Sequence, residues 1–507
     1  MQEKLDLSAR PDEQLDIRTL EQWLWDAACI IRGEMDAPKY KDFILPLVFY
    51  KRLSDVFDDE FAKIVEEFGD ADFAADLVKE DTANALREGK RPMVRFYIPS
   101  EYRWDAIRHY SGEASLGAFI TTAMREVARL NPRLDGVVNV RDFAETQSGQ
   151  RTLGDDRLSG LVEKISEHHL GLTNTEPDVL GRAYEYLLRK FAEGQGQSAG
   201  EFYTPKEVGF LMAELVAPEP GSSVYDPTCG SGGLLIKARM KFEERHPDQV
   251  SRAPHLFGQE LNPTTFALAK MNMILHDYVD HQVLIGDTMT SPQFVSEQTL
   301  RRFDVVVANP MWNQDNYSDD TYDDKTFERF PHGNAPRSSA DWGWVQHIVA
   351  SLNDRGRAAV ILDTGAVSRG SGSKSSNREK TIRKAVVEAD LVEAVVLLPE
   401  NLFYNTPSPG IVLLLNKARP EDRRGEVLLV NASAHFAKQA PKNMLTEDGH
   451  AAVADVYRAW ETRDRLSRVV TLDEVREADY NLSPLQFVDV AVAVEQRRLG
   501  TIIADLR

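Results

Sequence analysis

The sequence predicts an α/β protein with a doubly wound, mostly parallel sheet, preceded by a helical N-terminal domain and followed by a helical C-terminal tail. Two observations support this prediction. From about residue 222 to residue 417, short β-branched runs alternate with helical stretches, whereas apolar residues before residue 165 recur at the three-to-four spacing of amphipathic helices. Several runs are apolar almost throughout, which is typical of parallel strands covered on both faces; they read SSVYDP, HLFGQEL, QVLIGD, FDVVVANP, AAVILD, AVVLLP and IVLLLNK.

The domain boundaries are predicted from these changes of pattern. Residues 1–165 form the helical N-terminal domain, which is expected to serve packing or docking. Residues 166–420 form the α/β domain, and residues 421–507 add an edge strand (EVLLVNA) and helices. The last predicted helix reads VDVAVAVEQRRLGTIIADLR, and the stretch RGSGSKSS inside the α/β domain is expected to be mobile because it is rich in Gly and Ser.

Local signals place individual elements within these domains. In the N-terminal domain, the spacing predicts one shared helix face for Phe43, Leu47, Tyr50 and Phe57. A loop is predicted at residues 195–200, before a helix. That helix is expected to be capped by Thr204, with Pro205 at its first position and Glu207 three residues after the cap.

Composition excludes several classes of protein. With 42% hydrophobic and 28% charged residues in 507, the chain has the composition of a globular protein rather than of a disordered or fibrous one. Its two cysteines, Cys29 and Cys229, cannot build a disulfide framework or a Cys-rich zinc site. The polar N-terminus and the lack of any run near ~20 apolar residues predict a cytoplasmic protein without membrane spans.

The charge balance limits how the chain can meet nucleic acid. Lys and Arg number 60 against 80 Asp and Glu, so the formal net charge is −20. Such a chain repels a phosphate backbone on average, whereas a free-standing DNA reader usually carries a basic face. A nucleic-acid substrate would therefore need a local basic patch or a partner.

A glycine-rich turn is the first candidate site. In VYDPTCGSGGLLIKA a strand ends at Asp226, glycines follow at 230, 232 and 233, and a helix begins. Such a turn lets a ligand approach the backbone and offers a helix N-terminus to an anionic group. A dinucleotide, a phosphate or S-adenosylmethionine would fit, as would a plain tight turn. The absence of G-x-x-x-x-G-K-[ST] excludes a Walker loop.

Three further strand ends carry candidate residues. Glu260 ends HLFGQEL, where an acid can hold ribose hydroxyls, and Asp287 follows QVLIG, where an acid can accept from an adenine amine. Both are also ordinary strand-end or turn residues. At the end of FDVVVANPMWN, Asn309 and the Pro310 carbonyl offer two acceptors to one planar amine, and Trp312 offers a stacking face; a simple Asn-Pro turn is the alternative.

Together these elements resemble the amino-methyltransferases that modify exocyclic or amide nitrogen, whose signature is [DN]-P-P-[FYW]. Here the motif departs from that signature at Met311, which bears on the rigidity of the loop. Both amine acceptors of the family, the Asn side chain and the carbonyl of the first Pro, are retained as Asn309 and Pro310.

More specifically, the chain resembles the modification (M) subunit of type I restriction-modification systems over nearly its full length. The resemblance implies the class I S-adenosylmethionine-dependent methyltransferase fold in the γ order of adenine-N6 methyltransferases. It is carried by the strings DVLGRAYEYLLRKFA, GEFYTPKEV, DPTCGSGGLL, GQELNPTTFALAKMNMILH, ADWGWVQHI, REKTIRKAVVEADLVEAVVLLPENLF and YNLSP.

The resemblance also implies the site residues. The catalytic residues are Asn309, Pro310 and Trp312, and no metal is expected. The FYTP segment is expected over the methionine end of the cofactor. The residues expected to bind S-adenosyl-L-methionine are Phe202, Tyr203, Thr204, Pro205, Asp226, Thr228, Gly230, Ser231, Gly232, Gly233, Glu260 and Asp287.

The implied reaction is methyl transfer to adenine N6 of a base flipped out of DNA, with Trp312 stacking on the base. Phe403 is a candidate for the opposite face of the base or, more simply, a core residue. The stretch RGSGSKSS is expected to close over the flipped base or the DNA, because it is flexible and carries two basic side chains, Arg369 and Lys374.

The resemblance further implies the partners. A separate specificity (S) subunit is expected to read the DNA, with the helical termini docking on it. Two modification subunits are expected per specificity subunit, and a restriction (R) subunit joins them for cleavage. A non-catalytic cofactor-binding scaffold and a protein-glutamine N-methyltransferase remain as alternatives.

Overall fold

The computed structural model describes residues 17–32, 40–90, 92–139, 141–147, 150–172, 186, 204–276, 278, 280–296, 299–403, 406–439 and 442–489. Phe202, Tyr203, the loop predicted at 195–200 and residues 490–507 of the predicted last helix lie outside these ranges. Contacts between Cα atoms divide the chain into two compact units. The first takes in residues 1–201, 229–236 and 260–285, and the second takes in residues 202–228, 237–259 and 286–507.

The N-terminal part of the first unit is helical, as predicted. Phe43, Leu47, Tyr50 and Phe57 are all buried along one helix, which confirms the predicted apolar face. Two short strands, β1 (Thr146–Gln147) and β2 (Gln150–Arg151), pair as a hairpin. The helices are α1 (Ile17–Ile30), α2 (Lys41–Phe68), α3 (Ala71–Glu88), α4 (Trp104–Arg108), α5 (Leu116–Leu130) and α6 (Asp155–Ile165).

A helix from the central part of the chain completes this helical core. The helix α9 (Pro263–Leu275) follows Glu260 and buries Leu268, Met271 and Ile274 in the same hydrophobic cluster as the residues of α1 and α2. The strand β5 (His281–Ile285) also belongs to the first unit. The core of this unit is thus built from residues more than 200 positions apart in the chain.

The second unit carries six of the seven strands that the apolar runs predicted; the seventh, QVLIGD, is β5 of the first unit. Its strands are hydrogen-bonded in the order β15-β12-β10-β11-β9-β8-β3-β4. The pairs β3–β4, β3–β8, β8–β9 and β10–β12 are parallel, and those of β11 with β9 and β10 and of β12 with β15 are antiparallel. The strands are β3 (Ser223–Asp226), β4 (His255–Glu260), β8 (Phe303–Ala308), β9 (Leu352–Asp363), β10 (Val392–Leu397), β11 (Gly410–Asn416), β12 (Glu426–Asn431) and β15 (Ser467–Thr471).

The mostly parallel α/β fold class is therefore confirmed, with one correction. EVLLVNA was predicted as an edge strand, but β12 lies between β10 and β15, so that prediction is wrong. The reason is its burial: every residue from Val427 to Asn431 is buried, which requires cover on both faces and neighbours on both sides. The strand beyond it, β15, has only two buried residues, Ser467 and Val470, as suits the border of a sheet.

Helices and short hairpins complete the chain. The second helix of this set begins at Gly233, directly after the glycine-rich turn. In the described part of the chain, no helix is both long and apolar enough to cross a bilayer. The helices are α7 (Lys206–Val216), α8 (Gly233–Arg245), α10 (Asp319–Tyr322), α11 (Asp341–Ser351), α12 (Arg378–Glu388), α13 (Glu447–Ala459), α14 (Leu472–Glu477) and α15 (Pro484–Phe487); the hairpins are β6 (Val295–Ser296) with β7 (Thr299–Leu300), and β13 (Phe436–Ala437) with β14 (Met444–Leu445).

The predicted cap of α7 is wrong by one residue. The helix begins at Lys206, and Pro205 occupies the N-cap position without a side-chain hydrogen bond. The hydroxyl of Thr204 instead accepts a hydrogen bond from Asn309 Nδ2 at 3.0 Å. The Thr204 hydroxyl, which the local pattern predicts as the cap of α7, is thus bonded to a residue 105 positions away in the chain.

A charged cluster in the first unit fixes the segment that follows α6. Asp55 and Asp59 of α2 accept hydrogen bonds from the backbone N–H groups of Leu170 (2.6 Å) and Leu172 (2.7 Å). His169 lies between the two carboxylates, with Nε2 at 3.0 Å from Asp59 Oδ1 and Nδ1 at 3.5 Å from Asp55 Oδ1. Burial opposes the charged ring, but the hydrogen bonds to Asp55 and Asp59 outweigh it and raise the pKa of His169 to about 9.

We expect this histidine to make stability depend on pH. Its ordinary pKa is 6.5, so the stabilisation is complete below about pH 6.5 and is lost as pH rises through about 9. A His169→Gln variant should lower the free energy of unfolding by about 2 kcal/mol at neutral pH and lose most of the decline between neutral and alkaline pH. Thermal melting at several pH values measures this.

His109 provides the matched control. It also lies within reach of a carboxylate, Asp105, at 3.1 Å, but its side chain is 66% exposed. The His109→Gln variant should melt like the unmodified chain at every pH. An unchanged pH profile in His169→Gln would contradict the role of the cluster.

Candidate functional site

The Asn-Pro motif follows β8 directly, at the carboxyl end of a strand with parallel neighbours on both sides. Asn309 is only 7% exposed, and its side chain is bonded at both ends. Its Nδ2 donates to Thr204 Oγ1 at 3.0 Å, and its Oδ1 accepts from Trp312 Nε1 at 3.2 Å. Because an indole N–H can only donate, Trp312 fixes which end of the carboxamide is the oxygen.

The aromatic residues of the predicted site pack against each other. Trp312 is 8% exposed and meets Phe403 edge to face, with ring centroids 4.8 Å apart. Phe403 is buried, as its interpretation as a core residue predicts. A side chain at Gly410 would overlap both rings, since a Cβ there would come within 2.9 Å of each. The glycine therefore leaves the space that lets the two rings pack.

The loop after Trp312 is fixed by the start of α11. Asn313 adopts a left-handed backbone conformation (φ 51°), and its N–H donates to Asp341 Oδ1 at 3.0 Å. The Gln314 carbonyl accepts from Ala340 N at 2.9 Å, and its side-chain oxygen accepts from Trp344 Nε1 at 3.2 Å. The ADWGW segment, residues 340–344, thus holds the end of the Asn-Pro-Met-Trp loop through hydrogen bonds to residues 313 and 314.

Two predicted carboxylates of the second unit accept hydrogen bonds locally. Asp226 is buried, and its Oδ1 accepts from Thr228 N at 2.9 Å. Asp287 Oδ1 accepts from Met289 N at 2.9 Å and from Tyr317 OH at 3.1 Å. Burial and the nearby Asp287 raise the pKa of the Tyr317 phenol, which therefore stays a neutral donor. Sequence reasoning missed Tyr317, which has no motif around it.

The glycine-rich turn and Glu260 come together within the first unit. Glu260 Oε2 accepts from Gly230 N at 3.0 Å, and its Oε1 accepts from Asn262 N at 2.8 Å. Gly230 has a φ of 53°, which favours glycine, and a Cβ there would meet nothing within 4 Å. Asn272, which sequence reasoning also missed, is buried in α9 and donates from Nδ2 to the Ser231 carbonyl at 2.9 Å.

Glycines 232 and 233 differ from Gly230 in what they contribute. A Cβ at Gly232 (φ 80°) would come within 2.7 Å of the Met273 side chain, so this position serves close packing on α9. Gly233 is the first residue of α8. Cys229 between strand and turn is buried, as its prediction as a packed residue required.

The donor and acceptor inventory suits the predicted cofactor. S-adenosylmethionine carries ribose hydroxyls, an adenine amine and an ammonium group that donate, and one carboxylate that accepts. Asp226 and Asp287 in the second unit and Glu260 in the first supply acceptors, and the open Cα of Gly230 leaves room beside its backbone. The acceptors of each unit are of the kind that the donors of such a ligand require.

The prediction for Arg369 is wrong. Its guanidinium donates to the carboxylates of Asp341, Asp363 and Glu379, at 2.5–2.9 Å, and is not available to DNA as predicted. The backbone of the same stretch is also bonded, because Gly372 N donates to Asp479 Oδ2 at 2.7 Å. Lys374 of this stretch is exposed.

Comparison with known proteins gives this geometry a family. Residues 175–496 match the model of the family described as N-6 DNA Methylase, and residues 20–165 match that of the HsdM N-terminal domain. The first match alone covers more than half of the chain. The chain belongs to the N-6 DNA methylase family.

Individual relatives agree with this assignment. The MjaVIII type I restriction enzyme methylase subunit of Methanocaldococcus jannaschii is 34% identical, over 95% of this chain and 80% of that protein. The HindI methylase subunit of Haemophilus influenzae is 32% identical, over 78% and 90%. The crystal structure of a type I restriction-modification methyltransferase subunit from Streptococcus thermophilus superposes with a TM-score of 0.73 at 28% identity, covering 93% of this chain and 100% of that one.

These findings confirm the resemblance drawn from the motifs. This N-6 DNA methylase is a DNA methyltransferase subunit of the type I restriction-modification class. The scaffold and protein-glutamine alternatives are not favoured, because the relatives are named as DNA-modifying methylase subunits.

The hydrogen bond between Thr204 and Asn309 of this N-6 DNA methylase can be tested without an activity assay. A Thr204→Val substitution keeps the shape of the side chain but leaves Asn309 Nδ2 buried without its acceptor. We expect the free energy of unfolding to fall by about 1–3 kcal/mol. Thermal or urea unfolding of the purified chain measures the change.

Thr204→Ser is the matched control, because serine retains the hydroxyl and loses only a methyl group. It should retain most of the stability of the unmodified chain. If Thr204→Val were as stable as Thr204→Ser, the bond would contribute nothing to holding Asn309.

Proposed function

We propose that this modification subunit transfers a methyl group from S-adenosyl-L-methionine to N6 of an adenine flipped out of DNA, at sites chosen by a separate specificity subunit. The observation that carries the proposal is the carboxamide of Asn309, which lies at the end of β8 with its oxygen oriented by the Trp312 indole. Open α/β sheets bind their ligands at the carboxyl ends of the strands, and this fixed oxygen lies at such an end.

The proposed chemistry asks two things of the loop. The lone pair of an adenine amine is delocalised into the ring, so the amine is a weak nucleophile. Asn309 Oδ1 has a second lone pair beyond the one that Trp312 occupies, and it accepts one amine hydrogen while the Pro310 carbonyl accepts the other. Two acceptors aimed at one nitrogen localise its lone pair and stabilise the positive charge that develops there.

S-adenosyl-L-methionine supplies the electrophilic methyl group on its sulfonium. On this chain, Glu260 would accept from the ribose hydroxyls of the cofactor, Asp287 would accept from its adenine amine, and the glycine-rich turn would hold its methionine end. The full set proposed to bind it is Phe202, Tyr203, Thr204, Pro205, Asp226, Thr228, Gly230, Ser231, Gly232, Gly233, Glu260 and Asp287. The Thr204–Asn309 hydrogen bond supports this arrangement, since it joins the FYTP segment directly to the residue proposed to accept the amine.

Trp312 has a second role in this proposal besides stacking on the base. Its indole N–H is bonded to Asn309 and its ring edge packs on Phe403, so it orients the acceptor as well as offering a face to the base. Met311, in place of the second proline, leaves both acceptors unchanged.

A separate DNA reader is supported by charge and by the use of the C-terminal region. The chain carries a net charge of −20. In its described part, the region after Asn416 forms strands β12 and β15 of the main sheet and helices packed near them. This part therefore belongs to the second unit and does not form a separate domain for reading DNA. We propose an assembly with one specificity subunit and a second copy of this chain, to which a restriction subunit is added for cleavage.

Asn309 gives the sharpest mutational test of the chemistry. In the enzyme assembled with its specificity subunit, Asn309→Ala should lower methyl transfer at least ~10²-fold, because one of two preorganised acceptors is lost. The affinity for S-adenosylmethionine, measured by calorimetry, should change little.

Asn353→Ala is a suitable control, because this residue donates to Asp304 at the other end of the same strand. Its transfer rate should stay within a few-fold of the unmodified enzyme. If Asn309→Ala weakened the cofactor in proportion to the rate, the residue would belong to the cofactor site instead.

The requirement for a reader can be tested with the purified chain. At about 150 mM salt, where non-specific electrostatic binding is weak, we expect the chain alone to bind duplex DNA without sequence preference and to transfer no methyl group. Co-expression with the specificity subunit should give both sequence-specific binding and methyl transfer. Tight sequence-specific binding by the chain alone would contradict the proposed division of labour.

A further inference from the structure

The loop that carries Asn309 and Pro310 is anchored to a buried charge. The catalytic loop, residues 309–314, turns through the left-handed conformation of Asn313, whose N–H donates to Asp341 Oδ1. Asp341 is the first residue of α11 and is fully buried. A buried carboxylate is costly unless it is paired and hydrogen-bonded, so a cation has to stand beside it.

Arg369 is that cation, and it bridges several elements at once. It donates from Nη2 to Asp341 Oδ2 at 2.5 Å and from Nη1 to Asp363 Oδ2 at 2.9 Å. It also holds Glu379 with two bonds, from Nε at 2.6 Å and from Nη2 at 2.8 Å. Asp363 ends β9, while Asp341 and Glu379 lie in the first turns of α11 and α12. Only the fork of an arginine can hold three carboxylates in this way.

Arg369 is itself held by the C-terminal YNLSP segment. The buried guanidinium of Arg383 donates to the carbonyls of Ala366 (3.0 Å), Arg369 (2.9 Å) and Tyr480 (2.7 Å). Leu482 N of the same segment donates to the Val367 carbonyl at 2.9 Å. A continuous series of bonds therefore runs from YNLSP to residues 366–369, then to Asp341, and ends at Asn313.

We propose that Asp341 and Arg369 are positioning residues for methyl transfer, which hold Asn313 and thereby aim the acceptors of the catalytic loop. This inference rests on the proposed function and adds to it the residues that orient the loop. It also explains what YNLSP contributes, because this segment fixes Arg369 although it lies about 170 residues beyond Asn309 in the chain. Neither Asp341 nor Arg369 touches the substrate in this proposal; both act through the backbone of the loop.

Asp363 separates positioning from general stability. It binds the same guanidinium as Asp341 and also accepts from Gly365 N at 2.9 Å, but its only described side-chain hydrogen bonds lie away from the catalytic loop. A purely structural cluster predicts equal effects from losing either carboxylate. A positioning pair predicts that only the loss of Asp341 affects turnover.

The test compares Asp341→Ala with Asp363→Ala in the enzyme assembled with its specificity subunit. We expect Asp341→Ala to lower kcat by on the order of 10²-fold with KM for DNA and the affinity for S-adenosylmethionine nearly unchanged, since a small misplacement of reacting groups has this effect. Asp363→Ala should stay within a few-fold. Asp341→Asn should recover only part of the loss, because its oxygen can still accept from Asn313 but its amide nitrogen would face the Arg369 guanidinium as a second donor.

A second measurement does not depend on activity. Hydrogen exchange of the peptide containing residues 309–316 in the chain alone should speed up by at least ~10-fold in Asp341→Ala and stay unchanged in Asp363→Ala. If Asp341→Ala does not fold, Arg369→Lys replaces it, because a lysine cannot reach Asp341 and Glu379 together; the same loss of kcat and the same faster exchange are expected.

Three outcomes would overturn the inference: unchanged turnover in Asp341→Ala, equal losses in the Asp341 and Asp363 variants, or unchanged exchange in the loop peptide. If the unmodified assembled enzyme transferred no methyl group, the proposed function would fail, and the exchange measurement alone would decide whether Asp341 holds the loop.

Discussion

Several segments of the second unit are held together by the buried side-chain carboxamide of Asn309. Asn309 needs partners for both its oxygen and its nitrogen, because an unpaired polar group at this depth costs about 1–3 kcal/mol. Trp312 and Thr204 supply them from opposite directions along the chain. Meeting this requirement brings the segment before α7, the end of β8 and the following loop to the same place. The orientation of the Asn309 oxygen, on which the proposed chemistry relies, thus follows from satisfying a buried polar group.

The surrounding fold makes this arrangement possible. The strands β3, β8 and β9 are parallel neighbours, so their carboxyl ends lie at one edge and their loops can contact one another. Asp363 ends β9 and Asn309 follows β8, and α11 lies between these strands in the chain. Arg369 then binds three carboxylates near this edge, those of Asp341, Asp363 and Glu379. One guanidinium faces three carboxylates there, so the cluster carries no excess positive charge and is unsuited to binding DNA phosphates.

Much of this fold was predictable because most of its strands are buried on both faces. All seven apolar runs became strands, since few alternatives can cover such a run. The errors occurred where the deciding partner lies far away in the chain. Thr204 matched a capping pattern but bonded to Asn309, and EVLLVNA lacked only the information that β15 would pair beyond it. Arg369 sat in a Gly- and Ser-rich stretch whose composition says nothing about three carboxylates brought together by folding.

The candidate site residues could be proposed from the sequence, but the residues that hold them in place could not. Asn309, Glu260, Asp287 and the glycine-rich turn stand out because each follows a strand and carries an unusual residue type. Tyr317, Asn272 and Asp341 have no such signature, and each was found only through the atom it contacts. Met311 stands where the signature has its second proline, but the Asn309 side chain is held by Thr204 and Trp312, so that proline is not needed to orient it.

The most direct test of the central claim is to identify the methylated atom. DNA incubated with the assembled enzyme and isotopically labelled S-adenosylmethionine would be digested to nucleosides and analysed by mass spectrometry. The arrangement of Asn309 and Pro310 predicts that the label is found in N6-methyl-2′-deoxyadenosine and nowhere else. Label in a methylated cytosine, or in protein rather than DNA, would contradict the account.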